Sequence, residues 1–134
     1  MKMETLKLII GHEGFRNKPY KDTRGILTFG HGLTYITREE SIVIVKNRIS
    51  SIKKKLWNFE WYTRLNLCRK SVIISMVYQL GFSGVMNFKK TIKYLKKCDY
   101  EKASIEMLDS AWALQTPNRA SEMSEIMRGG KYVD

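Results

Sequence analysis

From residue 37 onward the chain is written in helical repeats, and this constrains its fold more than anything else. Ile42, Val45, Ile49, Ile52 and Leu56 recur at steps of three and four, so one face of a helix running to about Trp57 is apolar. Thr37 and Glu40 stand three apart just ahead of it, the pattern of a capping box in which hydroxyl and carboxylate satisfy exposed backbone donors. A second repeat, Leu65, Leu67, Val72, Ile73, Met76, Val77 and Leu80, predicts a central buried helix over about 64–80 that Gly81 ends. After a turn through Gly84, a shorter helix is expected to run to about Lys97. Asp99 caps another to about Ser110, with Ala103, Met107 and Leu108 inward. Thr116 and Pro117 supply a cap and a first-turn proline for a last helix ending near Gly129 and Gly130.

Only the first third breaks this rhythm. A short helix over about Met3–His12, with Leu6, Ile9 and Ile10 on one face, precedes a glycine- and aromatic-rich stretch. Within that stretch Ile26, Leu27 and Phe29, set among Gly25, Gly30 and Gly32, suggest one small β-hairpin. The fold class is therefore α+β, mainly helical. At 134 residues the chain is expected to be one domain: a small hairpin lobe over about 12–36, a connecting helix over 37–57 and a helical lobe over 58–134. Clefts form readily between two such lobes.

The net charge is +11, from 24 Lys and Arg against 13 Asp and Glu, which favours an anionic polymer as partner. Nucleic acid, an acidic membrane face and a bacterial wall all qualify. The basic residues are spread out, with Lys53, Lys54 and Lys55 the only run, and no familiar nucleic-acid motif is present. Lys46, Arg48 and the lysine run read first as the solvated face of a helix. Cys68 and Cys98 lack metal-ligand spacing and are expected to be free thiols, as in a reducing cytoplasm. The apolar run near the N-terminus is too short for a signal peptide, and no stretch could span a membrane.

Chemistry concentrates between His12 and Gly32. Glu13 follows the first helix, Asp22 lies in a turn beyond Pro19, and Thr28 sits in the Ile-Leu-Thr-Phe run. Glycosidic hydrolysis asks for one acid to protonate the leaving oxygen and a second carboxylate on the other side of the ring; a hydroxyl can hold the water. By residue type alone, both acids read more readily as solvated helix-end and turn residues.

The spacing Glu13, Asp22, Thr28, with Glu-Gly after the helix, Tyr-Lys-Asp at the turn and Gly-x-Gly behind the threonine, resembles the phage-type lysozymes, glycoside hydrolase family 24. Met76-Val-Tyr-Gln-Leu-Gly81 and Gln115-Thr-Pro-Asn-Arg-Ala120, behind Trp112, are similar to later segments of that family, so the likeness spans nearly the whole chain. It implies a two-lobed lysozyme-like fold and a muramidase of peptidoglycan, cleaving between N-acetylmuramic acid and N-acetylglucosamine. It assigns Glu13 as acid, with Asp22 and Thr28 handling the water. Thr34, Tyr78, Gln79 and Thr91 would hold the sugar chain, and Arg119 would orient Glu13 with Tyr20 nearby. Inversion is implied, which requires the carboxyl groups to lie about 6.5–9.5 Å apart.

No metal or organic cofactor is implied. The enzyme is expected to be a monomer that waits in the host cytoplasm until a separate membrane-pore protein releases it. In three places the chain departs from the family pattern. Leu33 stands where relatives carry a histidine, the segment between Thr34 and the capping box is short, and Ala111 replaces an arginine before Trp112. His31 reads as a packed imidazole more readily than a cleft residue. Two rival readings remain at this point: a non-catalytic glycan-binding module of the same fold, and a basic nucleic-acid-binding domain.

Overall fold

The computed structural model describes residues 2–133, leaving the side chain of Lys2 aside. It separates into two compact units, residues 1–44 and 45–134, and the division falls inside one long helix.

The first unit begins with α1 (Lys2–Glu13), followed by β1 (Arg16–Lys21) and β2 (Leu27–Gly30), which pair antiparallel. Tyr20 faces Thr28 and Lys21 faces Leu27 across the pair. The register slips between Arg16 and Tyr20, where Pro19 has no N–H to give the ladder. Phe29 and Leu33 exchange backbone hydrogen bonds at 2.8 Å each, folding the Gly30-His31-Gly32 segment back on the strand. The small β-hairpin expected here is present.

Helix α2 (Arg38–Leu56) starts as its capping box requires. Thr37 N donates to Glu40 Oε1 at 2.8 Å, and Glu40 N donates to Thr37 Oγ1 at 3.1 Å. Of its apolar stripe, Leu56 is fully buried.

The second unit is helical among its described residues. It holds α3 (Glu60–Thr63), α4 (Leu67–Leu80), α5 (Phe82–Met86), α6 (Lys89–Lys96), α7 (Tyr100–Leu108), α8 (Ala111–Gln115) and α9 (Pro117–Gly129). Its core joins α4, α7 and α9 through Val72, Ile73, Met76, Ala103, Met107, Ala120 and Met127, each at most 2% exposed. Asp99 caps α7 by accepting from Lys102 N at 3.1 Å, as read from the sequence.

Four boundaries differ from the sequence expectation. The central helix starts at Leu67 rather than near Arg64, because Asn66 Oδ1 accepts from Arg69 N at 2.9 Å and caps it there. Leu67 is consequently 72% exposed, while Leu65, outside the helix, is buried. The turn after Gly81 is itself the short helix α5. Ser110 does not end α7 but caps α8, accepting from Ala113 N at 3.1 Å. Leu108 lies on the solvent side of α7. Thr116 precedes Pro117 at the start of α9, yet its hydroxyl donates back to Trp112 O at 2.9 Å and caps nothing.

The far end of α9 is clamped. Gly130, at φ +71°, turns the chain left-handed, and Asn66 Nδ2 donates to Gly130 O at 2.9 Å. Arg69 donates from Nε to Met127 O at 2.7 Å and from Nη2 to Arg128 O at 2.9 Å. Its guanidinium also lies 3.9 Å from the centre of the Tyr100 ring. A cation on the last carbonyls of a helix satisfies orphan acceptors and opposes the negative end of the helix dipole.

Candidate active site

In the first unit, α1 delivers Glu13 as its last residue. Gly14, at φ +67°, closes the helix by donating to Ile10 O at 3.0 Å. The Glu13 side chain then lies over Gly32, whose φ is +73°. A methyl at residue 32 would fall 2.5 Å from Glu13 Cδ and 3.0 Å from Cγ, and it would run into Oε2. The bare glycine face is what lets the carboxylate settle against the hairpin.

Asp22 is placed by the hairpin turn. Its Oδ1 accepts from Arg24 N at 2.8 Å and from Ile26 N at 2.9 Å, while its own N–H donates to Ile26 O at 2.9 Å. Gly25, at φ +78°, permits the tight return. The Ile26 N–H holds the Asp22 carboxyl below the usual carboxylate range; burial opposes it, and the Arg24 N–H and the Arg24 charge add smaller pulls in the same direction as Ile26. Asp22 is thus a fixed, ionised acceptor, and among the described residues Oδ2 has no protein donor.

Thr28, opposite Tyr20 on β2, is 5% exposed, and its hydroxyl donates to Ile26 O at 3.0 Å. With its single proton committed there, Oγ1 can only accept from any further group. The Tyr20 ring is half-buried under the Arg16 guanidinium, 4.7 Å from its centroid. His31 packs on Phe15, ring centroids 5.2 Å apart, in keeping with a packed imidazole. Thr34 is exposed just beyond Leu33.

The second unit carries the other residues singled out by sequence. Tyr78 is 46% exposed at the end of α4 and lines a groove of about 540 Å³ with Ile74 and Ser75. Gln79 is not free: its Oε1 accepts from Trp112 Nε1 at 2.8 Å, which leaves the amide NH₂ to donate. Thr91 faces inward at 3% exposure, on the floor of a hollow of about 290 Å³ bordered by Asn87, Lys89, Glu106 and Asp109. Arg119 is exposed on α9, and its Nη2 donates to Ser75 Oγ at 3.1 Å.

Sequence reasoning missed three supporting residues. Ser75 holds Arg119, Trp112 occupies the carbonyl of Gln79, and Gly32 makes room for Glu13. Gly32 had left a trace as the second glycine of Gly-His-Gly and Trp112 as part of a family-like segment, but neither role was visible, and Ser75 left none.

Together, α1 and the hairpin put an acid over a glycine, a second acid fixed in its ionised form, and a hydroxyl reduced to an acceptor. That is the equipment of a carboxylate-dependent glycoside hydrolase. A model of the phage lysozyme family matches residues 10–123. Among curated proteins, the probable T4-type lysozyme 2 of Dictyostelium discoideum is 26% identical over 129 residues, covering 96% of this chain and 73% of its own. The probable T4-type lysozyme 1 of the same organism is 28% identical over 152 residues, covering 88% of this chain and 89% of its own. The pre-baseplate central spike protein Gp5 of Enterobacteria phage T4 is 24% identical, with 96% of this chain matching 28% of that protein. The chain belongs to the phage lysozyme family, and its activity is that of a peptidoglycan hydrolase. The binding-module and nucleic-acid readings are not favoured.

Proposed function

We propose that Glu13 protonates the oxygen leaving the bond between N-acetylmuramic acid and N-acetylglucosamine, while Asp22 and Thr28 hold the attacking water. The observation that carries this is the division of labour at the hairpin. Asp22 Oδ1 is saturated by backbone N–H groups and Thr28 Oγ1 has spent its proton, so Oδ2 and Oγ1 are both acceptors. A water giving one proton to each presents its lone pair outward, the orientation an in-line attack needs. Such a water attacks the face opposite the leaving group, and the product anomer is inverted.

In this reading Tyr78, the Gln79 amide NH₂, Thr34 and the wall around Thr91 hold the glycan, and Tyr20 shapes the hairpin side. Arg119, steadied by Ser75, serves to position Glu13. The enzyme works as a monomer and reaches the wall once a separate membrane-pore protein has opened the way. No described helix is long and apolar enough to cross a membrane.

The test is clearing of outer-membrane-permeabilised cells together with NMR of the first product anomer. Glu13→Gln and Asp22→Asn are each expected to remove at least about 10²-fold of the rate, the usual worth of an acid or base. A retained anomer would make Asp22 a nucleophile instead, and full activity in Glu13→Gln would end the assignment.

A further inference from the structure

A groove of about 860 Å³ in the second unit, sharing only Lys89 with the surfaces described above, is lined by Arg64, Lys89, Lys93, Lys96 and Lys97 with Glu60 as its one acid. Lys89, Lys93 and Lys96 stand four and three residues apart along α6, steps of about 6 and 4.5 Å of helix rise, and Lys97 follows at its end. Among the described residues none of these cations has a carboxylate within ion-pair distance. Arg64 spends one N–H on Lys96 O at 2.7 Å, which ties α3 to α6 and fixes the groove's width. Like charges held this close repel one another, and a ligand of opposite sign relieves that repulsion.

We propose that this groove binds a linear phosphodiester polymer of the cell envelope, holding the enzyme on the wall apart from the bond it cuts. Two features choose this occupant. The aromatic floor is closed: Trp61 is 4% exposed, and Phe59 lies against both Trp61 and Phe82, each with ring centroids 5.7 Å away. These rings pack on one another, and no exposed aromatic ring lines the groove as a platform for a nucleobase, which single-stranded nucleic acid would require. Nor does any exposed large apolar side chain line the groove to enter a membrane. What remains is a row of point charges along one helix, which suits a polymer carrying a negative charge in every repeat, and lysine suits phosphate as a point charge. Lys89 also borders the Thr91 hollow, so the two surfaces adjoin around α6.

The experiment measures binding of short poly(glycerol phosphate) chains by fluorescence anisotropy across a salt series. The Lys89→Gln/Lys93→Gln/Lys96→Gln protein is compared with Lys46→Gln/Lys54→Gln/Lys131→Gln, which removes the same charge from exposed positions elsewhere. At a slope of about 0.7 per contact, the groove triple should lose about 2 units of salt dependence and about 100-fold in affinity near 0.1 M salt. The control triple should stay close to wild type, with both proteins melting like wild type. The proposal is overturned if the control triple loses as much, if wild type shows no binding, or if single-stranded DNA of equal charge or anionic vesicles bind as tightly as the polymer. Because the readout is binding, failure of the catalytic assignments would leave it untouched.

Discussion

Replacing Gly32 by alanine separates the two jobs that a glycine does at the end of the hairpin. The first is conformational: at φ +73° a Cβ costs on the order of 1–2 kcal/mol. The second is spatial. The new methyl would sit 2.5 Å from Glu13 Cδ, whereas carbon atoms rest at about 3.5–4.0 Å, so the carboxyl must retreat by about 1 Å or more. For folding that retreat costs little, since it moves the tip of a flexible side chain. For catalysis a misplacement of about 1 Å costs roughly 10²-fold, near 2.7 kcal/mol of barrier. Gly25 supplies the control, having φ +78° with nothing within 4 Å of its added methyl. Gly25→Ala and Gly32→Ala should therefore lower the melting temperature by similar amounts. Only Gly32→Ala should lose about 100-fold in initial clearing rate, measured well below both transitions. If Gly32→Ala melts like Gly25→Ala and clears cells as fast, Glu13 does not depend on the bare glycine and the geometric argument fails.

Other perturbations have equally definite outcomes. Asp22 titrates below the ordinary carboxylate range, so the stability it lends is present above its unfolded pKa and is lost as pH falls through the lower folded value. Asp22→Asn should flatten the acid limb of melting temperature against pH below about pH 4, and an unchanged limb would contradict the turn hydrogen bonds. Thr28→Val removes one of the two donors to Ile26 O, the Asp22 N–H staying in place, which should cost about 0.5–1.5 kcal/mol and also cut clearing sharply; Thr28→Ser should keep most of both. Arg69→Ala frees two helix-end carbonyls and should destabilise by about 2 kcal/mol in urea unfolding, with the specific activity of the folded protein unchanged.

Periodicity made the helices legible, since burial along a helix imprints a repeat that needs no knowledge of neighbours. The Thr37/Glu40 capping box and the Asp99 cap could be read for the same reason: donor and acceptor lie three residues apart. Boundaries failed where the deciding partner was a competing cap. Asn66 moved the start of α4, and Ser110 began α8 where the pattern suggested that α7 was finishing. Thr116 looked like a cap, but its hydroxyl found the Trp112 carbonyl behind it instead. At the candidate site, the turn at Asp22 was visible because Pro19 ahead of it forces the chain to turn. The commitments of Gln79 to Trp112 and of Arg119 to Ser75 were not, because they join residues 33 and 44 positions apart and leave no spacing to detect.

The clamp of Asn66 and Arg69 on residues 127–130 has a bearing on synthesis. The start of α4 is sealed by groups made some 64 residues later, so during translation the helical unit lacks its fastening until Gly130 has left the ribosome. Growing chains should stay sensitive to proteases until residues 127–130 have emerged and then acquire resistance in one step.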